Sequence, residues 1–212
     1  QYSHMFIDFR GIRDAWMRDK SVEIGDFDYF RNSVRAAEAQ QYYARTNPRG
    51  WVGYDDQVWG LTACDGPGDF KQVIDGRERE FFSYSARGPG ERDDGTIAPT
   101  AAMASMPFAP DAVTTCLKAM KTRYGQAIYT QWGFLDSFNP TLTERDGALL
   151  HGKIVPDVGW VDGDYLGIDQ GPIVVMIENH RSELVWRHMH GEPNLIRGLQ
   201  RAGFQGGWLD RA

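Results

Sequence analysis

The sequence predicts a mostly α-helical protein, part of a toroid of inner and outer helix pairs, with long loops and short β-hairpins at one mouth. Two helix pairs predict this class. A segment of small residues (96–106) precedes a helix with one apolar face (110–124), and a segment apolar on every side (170–190) precedes another one-faced helix (193–201). A helix that is apolar all round belongs inside a larger body, so this alternation indicates a ring of paired helices.

The first long helix is predicted over residues 29–45, which are rich in the good helix formers Ala, Arg, Gln and Glu. Asp26 or Asp28 supplies a side chain that can accept hydrogen bonds from the first turn. Residues 47–50, Asn-Pro-Arg-Gly, end the helix because proline and glycine interrupt it.

The second long helix is predicted to begin at Pro110, since proline fits a first turn, and to end at Gly125. Its apolar residues follow the spacing of a helix buried on one side, at Val113, Cys116, Leu117, Met120 and Tyr124. In the 170–190 segment, the apolar run 173–177 covers every side of the predicted helix. The last helix, 193–201, has a single apolar face.

Two long connections separate the helices. Residues 50–95 mix seven aromatic residues with many Gly and Asp, and residues 132–160 form a second such excursion. A structureless loop of this length is uncommon unless it is functional, so we expect short strands within these connections. Residues 78–85 are expected to form one side of a hairpin.

The composition excludes two classes of partner. The 212 residues include 23 basic and 29 acidic side chains, for a net charge of −6, and no basic stripe is present. Phosphate contacts supply most of the affinity of nucleic-acid binders, so nucleic acid is excluded. The longest apolar run, 172–177, is far shorter than the ~20 residues of a membrane-spanning helix.

The two cysteines, Cys64 and Cys116, have neither a metal spacing nor a disulfide pattern, and we expect buried thiols. No group of residues has the spacing of a metal site, so no metal is predicted. Residues 1–10 show neither an initiator methionine nor a charged-then-apolar leader. We therefore expect a mature form or a piece of a longer protein.

Acids, aromatic residues and glycines stand together beside predicted helix starts in three segments, 59–67, 84–96 and 164–172. Structural explanations are available for each. Asp94 and Asp169 precede or open helices, where an acid caps free N–H groups and meets the positive end of the helix dipole. Trp59 can be a core aromatic residue beneath a loop.

The functional explanation depends on convergence of the three segments. Loops that enter the inner helices of a toroid line one mouth, which would place Asp94, Asp169, Trp59 and Tyr84 around one cavity. Aromatic faces and carboxylates hold sugars, and hydrolysis of a glycosidic bond needs two carboxyl groups. The segments therefore indicate a glycan ligand. A fourth group near the start has His4 and Asp8 on one helix face, or alternatively an Asp8–Arg10 ion pair.

Four stretches carry a resemblance to a known family: SHMFIDFRG (3–11), WGLTACDGP (59–67), DDGTIAPT (93–100) and YLGIDQGPIVVMIEN (165–179). They resemble the glycoamylase-like family, which includes bacterial endo-β-1,2-glucanases and sophorose-releasing relatives. The likeness extends from Ser3 to about Leu209. It implies an (α/α)6 toroid that acts on glucans without a cofactor.

The resemblance also implies site residues. Asp169 matches a pocket acid, which we interpret as a base or water-positioning residue. Pocket-lining positions are matched by His4, Asp8, Arg10, Trp59, Asp65 and Asp94. Glu178 also lies in a matching motif, but it is more than two turns into its helix, so we expect a core acid that needs a partner.

Members of the family are longer, and residues 1–212 correspond to their C-terminal half. The family segment that carries a glutamate suspected as the general acid has no counterpart here. We therefore expect a fragment of a β-glucan hydrolase, most specifically for β-1,2-glucan. The expected mechanism is inverting, and the partners are a glucan and the missing N-terminal half or a second copy. A polymer substrate suggests a periplasmic or secreted protein.

Two other hypotheses stay open at this point. A catalytically silent glycan-binding or accessory piece is the first. A polysaccharide lyase on a similar toroid is the second, and it would need a tyrosine or histidine base set against basic residues. The acidic character of the three segments favours the lyase least.

Overall fold

The computed structural model describes residues 2–25 and 27–211. The described chain is rich in helix and carries small antiparallel sheets. Its α-helices are α1 (Tyr2–Phe6), α2 (Ala15–Ile24), α3 (Tyr29–Thr46), α4 (Pro99–Met103), α5 (Pro110–Tyr124), α6 (Gly167–Ser182), α7 (Leu184–Met189) and α8 (Pro193–Arg201). Within the described ranges, no helix is long and apolar enough to cross a membrane.

The predicted helices α3 and α5 are confirmed nearly to the residue. Helix α3 begins after Asp28, whose carboxylate accepts the Arg31 N–H, and ends at Asn47 in the left-handed conformation. Asp26, the other proposed cap, lies outside the described residues. Helix α5 has Pro110 in its first turn and buries one face, at Val113, Cys116 and Met120.

The small-residue segment forms the short helix α4, in which all five side chains are buried. The close approach of α4 to the loop before it explains why residue 60 is a glycine. A Cβ on Gly60 would lie 2.7 Å from the Ala98 carbonyl oxygen, and the Ala98 N–H donates to the Gly60 carbonyl. Helix α4 packs against both α5 and α6, as expected for an inner element.

The prediction of one continuous helix over 170–190 is wrong. Glu183 adopts the left-handed conformation, with φ 55°, and separates α6 from α7. The expectation of burial on every side is also wrong for the described chain, because Val174 is 64% exposed. One face of α6 packs on α1 and α4, and the opposite face has no covering element among the described residues. Helix α8 is confirmed, with Leu199 buried.

The strands expected in the long connections are present. They are β1 (Ala63–Cys64), β2 (Phe70–Ile74), β3 (Arg77–Phe81), β4 (Ser85–Ala86), β5 (Tyr129–Thr130), β6 (Gly133–Phe134), β7 (Phe138–Asn139), β8 (Lys153–Val155) and β9 (Gly159–Val161). Strands β2 and β3 form a hairpin, and its second strand ends at Phe81 rather than continuing to residue 85. The remaining strands pair as β1–β4, β5–β6 and β7–β9–β8.

Two hydrophobic clusters organise the helices. The larger one packs α3, α4, α5 and α6 around the buried indoles of Trp51 and Trp59. The smaller one joins residues near the start of the chain to residues near its end, with Phe9 and Ile12 packed against Trp208. The Arg13 and Gln205 backbones also exchange two hydrogen bonds, of 2.9 and 3.0 Å.

Candidate functional site

An aspartate cluster forms where three loops meet the first turn of α6. We use this name for Asp65, Asp136, Asp162, Asp164 and Asp169. Asp65 follows β1, Asp136 lies between β6 and β7, Asp162 and Asp164 follow β9, and Asp169 is the third residue of α6.

Hydrogen bonds between the loops fix this cluster. The Asp65 N–H donates to Asp136 Oδ2 at 2.8 Å. The Asp136 N–H donates to the Asp164 carbonyl at 3.0 Å, and the Asp162 N–H donates to the Ser137 carbonyl at 3.0 Å. Ser137 Oγ in turn donates to the Asp65 carbonyl at 2.8 Å. Three segments distant in sequence are therefore held in one arrangement by hydrogen bonds that each involve at least one backbone group.

Asp169 is 4% exposed, and its Oδ2 atom accepts no hydrogen bond within the described part of the chain. Helix α6 positions it, and its carbonyl oxygen accepts a hydrogen bond from Thr100 Oγ1 of α4 at 3.2 Å. Burial raises the pKa of Asp169. Contact with Asp136 opposes that rise, whereas the negative charge of Asp65 adds to it. The result is a buried carboxyl whose proton affinity is increased by its surroundings.

Asp136 is the functional candidate that sequence reasoning missed. It is 1% exposed, and its Oδ1 atom has no donor among the described residues. Burial raises the pKa of Asp136 strongly, and the carboxyl groups of Asp169 and Asp162 raise it further. A signal was present, since Asp136 is a lone acid within the apolar stretch 134–138, where a buried charge requires a reason.

Tyr2 lies beside this cluster, and Tyr84, which the sequence predicted for the site, lies near Tyr2. The Tyr84 side chain is 66% exposed. Burial raises the pKa of the neighbouring Tyr2 hydroxyl, and the charges of Asp169, Tyr84 and Asp136 add to the rise. Exposed aromatic rings next to buried carboxyls offer both kinds of contact that a sugar uses. Of the predicted site residues, the structure thus brings Asp65 and Asp169 together, and Tyr84 lies near Tyr2.

Trp59 does not line an open surface. Its side chain is 1% exposed and belongs to the larger hydrophobic cluster, so the structural explanation accounts for it. Its carbonyl oxygen accepts a hydrogen bond from the Cys116 thiol. Both cysteines are free and buried, as predicted, and burial raises the pKa of Cys116 to about 12.

Asp94 is likewise unavailable to a ligand in this structure. Its carboxylate has no solvent exposure and is held by the guanidinium of Arg87 and by the N–H groups of Phe82 and Thr96. Although burial opposes the charge on Arg87, hydrogen bonds to Asp94 raise the pKa of that guanidinium. Asp94 does not cap α4, whose preceding residue Ala98 has no side-chain hydrogen bond.

His4, Asp8 and Arg10 contact a different set of partners. Helix α1 ends at Phe6, so the predicted common helix face of His4 and Asp8 is wrong. Asp8 instead accepts two hydrogen bonds from the Arg10 guanidinium, at 2.7 and 2.8 Å, which is the structural alternative. Arg10 also pairs with Glu183 at 2.8 Å.

His4 is buried among aromatic rings. Its ring meets those of Phe9 and Phe108 edge to face, with centroids 4.8 and 4.9 Å away, and Nε2 lies 3.0 Å from Ser33 Oγ. Burial lowers the pKa of His4 to about 4. This histidine is therefore a neutral packing residue at neutral pH.

Glu178 is partly exposed and finds its partners on its own helix, with hydrogen bonds from Ser182 Oγ and the Arg181 guanidinium. Asp65, Asp162 and Asp164 bring one carboxylate oxygen each to within 4.8 Å of one another. Oxygen ligands of this kind suit a divalent cation. However, backbone N–H groups of Gly163 and Asp164 already donate to Asp162.

The aspartate cluster has a definite chemical capacity. Two carboxyl groups with increased proton affinity face each other at hydrogen-bonding range, and the exposed Tyr2 ring lies beside them. Carboxyls with such shifted proton affinity serve as general acids or bases near neutral pH. The arrangement can therefore hold a polyhydroxylated ligand and move a proton beside it.

A family model, Glycoamylase, described as "Putative glucoamylase", matches residues 1–193. The chain is 34% identical over 175 residues to the exo β-1,2-glucooligosaccharide sophorohydrolase (non-reducing end) of Parabacteroides distasonis. That match covers 82% of this chain and 20% of the relative.

Solved structures show the same relationship. The endo-β-1,2-glucanase of Chitinophaga pinensis, in complex with sophorotriose and glucose, aligns with a TM-score of 0.73 and 29% identity. A "putative glucoamylase" of Bacteroides uniformis aligns with a TM-score of 0.74 and 33% identity. Each alignment covers 98% of this chain and 40% of the other, so the chain spans less than half the length of these relatives. The chain belongs to the Glycoamylase family.

Proposed function

We propose that the protein to which this chain contributes is a glycoside hydrolase of β-glucan, specifically of β-1,2-linked glucan. The observation that carries the proposal is Asp169, a buried carboxyl that faces a second carboxyl, Asp136, and lies near the exposed Tyr2. The names of the sophorohydrolase and the endo-β-1,2-glucanase support the linkage. A polymer substrate favours a periplasmic or secreted location.

We propose further that residues 1–212 are the C-terminal half of an (α/α)6 toroid. Two observations support this. The chain covers 40% of the solved relatives, and it leaves the apolar side chains of Ile168, Val174 and Leu184 more than half exposed along α6 and α7. Additional helix pairs, from an N-terminal half or a second copy, would cover that face.

The separation of carboxyl groups bears on the mechanism. An inverting glycosidase needs about 6.5–9.5 Å between its two carboxyls, so that a water molecule fits between base and sugar. Asp136 and Asp169 are in hydrogen-bonding contact, which leaves no room for that water between them. Asp169 therefore serves as the base that orients the water, and the general acid comes from a segment outside this chain.

The test is the Asp169→Asn substitution in the full-length protein, assayed by release of reducing ends from linear β-1,2-glucan. We expect a loss of kcat of about 100-fold or more, since a positioned base contributes about that factor. Asp111→Asn, at an exposed position of α5, is the matched control and keeps wild-type activity. Normal activity of Asp169→Asn would end the assignment.

Residues 1–212 taken alone have a second candidate function. Because Asp136 and Asp169 leave no room for a water between them and the general acid lies outside this chain, these residues would bind glycan without hydrolysing it. Calorimetry with β-1,2-glucooligosaccharides tests it. Heat of binding without new reducing ends supports this second function, whereas turnover by these residues alone contradicts both this function and the missing general acid.

A further inference from the structure

We propose that Asp136 is a positioning residue for Asp169, and that it acts as a neutral carboxylic acid whose proton lies between Asp136 Oδ1 and Asp169 Oδ2. The first argument is the pairing of two orphaned atoms. Both oxygens are buried, and neither accepts a hydrogen bond from the described residues. An ionised carboxylate can only accept, so two ionised groups in contact would repel and stay unsatisfied. A single proton between them satisfies both atoms.

The second argument concerns which of the two carboxyls carries the proton. The other oxygen of Asp136, Oδ2, accepts the Asp65 N–H at 2.8 Å, which leaves Oδ1 to carry the proton toward Asp169. Asp136 is also the more deeply buried of the two, at 1% exposure against 4%. Its burial disfavours charge, whereas Asp169 gains a donor and is favoured as the ionised partner.

The charges around Asp136 also favour a neutral Asp136 and an ionised Asp169. The groups that face it are acids or neutral, namely Asp65, Asp162, Asp169, Tyr2 and the Cys64 thiol. The neighbouring cation Arg87, which contacts Cys64, is ion-paired to Asp94. A second negative charge at Asp136 would therefore face acids without a free countercharge.

The consequence for the reaction rests on the proposed function of Asp169. The neutral acid donates to one oxygen of Asp169, fixes the plane of that carboxylate and leaves its second oxygen for water or substrate. Asp136 itself takes no proton and gives none during turnover. At high pH Asp136 ionises, the donor is lost, and two like charges face each other. We therefore expect kcat to fall at alkaline pH because Asp136 ionises.

Two substitutions in the full-length protein separate this role from others. Asparagine can reproduce the arrangement, because its amide oxygen accepts the Asp65 N–H and its amide nitrogen donates to Asp169. Alanine removes the donor. We expect Asp136→Ala to lower kcat at least about tenfold with little change in KM, and Asp136→Asn to restore kcat to within about threefold of wild type. Asp136→Asn should also lack the alkaline fall.

Two results would overturn the proposal. An Asp136→Asn variant that folds, by circular dichroism, but is as inactive as Asp169→Asn would mean that Asp136 ionises during the reaction. Wild-type kcat for Asp136→Ala would mean that the contact with Asp169 has no role. In both cases Asp169→Asn, measured in parallel, reports separately on the proposed function.

An independent readout does not depend on activity. At pH 7 ordinary Asp and Glu side chains are ionised, so a protonated carboxyl gives an isolated C=O stretch in the infrared. The difference spectrum between wild type and Asp136→Asn should show one such band lost. Absence of that band in the wild-type protein would contradict a neutral Asp136.

Discussion

Arg87 and Asp94 form an ion pair in which neither side chain has any exposure to solvent. Arg87 Nε and Nη2 each donate to one oxygen of Asp94 at 2.8 Å. The remaining guanidinium donors reach carbonyl oxygens of Cys64, Phe82 and Ser83, at 2.8 to 3.2 Å. This pair therefore joins the end of β1, the turn after β3 and the approach to α4.

Removing one partner of this pair should be strongly destabilising. Asp94→Ala leaves a buried guanidinium without its countercharge, and we expect a loss of about 3–5 kcal/mol in the free energy of unfolding, measured by urea denaturation. The control is Glu78→Ala, which breaks the exposed pair with Lys71 and should cost about 1 kcal/mol or less. Equal losses of unfolding free energy for the two variants would contradict the conclusion that burial makes the Arg87–Asp94 pair the more important one.

Gly66 should not tolerate a side chain. A Cβ there would lie 2.2 Å from the Phe82 carbonyl oxygen and 2.3 Å from Arg87 Nη2, so the arginine fork would have to move. We expect Gly66→Ala to destabilise the protein by about 1–3 kcal/mol, measured by thermal or urea denaturation. Gly88→Ala, where no atom lies within 4 Å of the new Cβ, should stay within about 0.5 kcal/mol of wild type.

Asp136→Asn should stabilise the folded protein above acidic pH. The folded state raises the pKa of Asp136 above its ordinary 3.8, so the unfolded chain releases this proton first as pH rises. The contribution of Asp136 to stability is therefore full below pH 3.8 and is lost as pH rises, by about 1.4 kcal/mol for each pKa unit of the rise. Asparagine does not titrate and escapes this loss. Denaturation curves from pH 4 to 8 should show a widening gain, and a constant difference would contradict the expectation.

His4 should make the protein less stable as pH falls from about 6.5 towards 4. Burial lowers the pKa of His4 from 6.5 to about 4, so in this range the unfolded chain binds a proton that the folded chain does not. The expected loss is about 3 kcal/mol at most. His4→Phe preserves an aromatic ring and should flatten the slope of stability against pH. The exposed His180, changed to Phe, should leave the slope unchanged, and an unaltered slope in His4→Phe would exclude His4 as its source.

The elements that sequence reasoning predicted well are those determined locally. Helix α3 has its own cap at Asp28, helix α5 has Pro110 in its first turn and ends at Gly125, and both carry local helix-forming patterns. The break at Glu183 could not be read from the chain, because it coincides with an ion pair to Arg10, 173 positions away. A run of apolar residues is compatible with one continuous helix or with two helices, and contacts distant in sequence decide which of them forms.

The same distinction applies to the site. The three acid and aromatic segments indicated a glycan pocket, but the residue types do not say which members face outward. Asp94 is buried because Arg87, only seven residues away, neutralises it, whereas Asp169 has no basic partner among the described residues. Sequence reasoning missed Asp136 because a single acid between phenylalanines indicates a function only when the fold places another carboxyl opposite it.

The contacts between residues 8–13 and 205–208 have a consequence for the order of folding during synthesis. The Trp208 indole donates to the Asp8 carbonyl at 2.7 Å, and the Arg13 and Gln205 backbones pair. A growing chain presents residues 8–13 long before the ribosome releases their partners. Closing so long a loop adds little to its entropic cost, since each doubling of length costs about 0.6 kcal/mol, but docking must wait for translation to reach residue 208. The contacts of Phe9 and Ile12 with Trp208 therefore form last, whereas the contacts of Phe9 with His4 and Tyr29 are available much earlier.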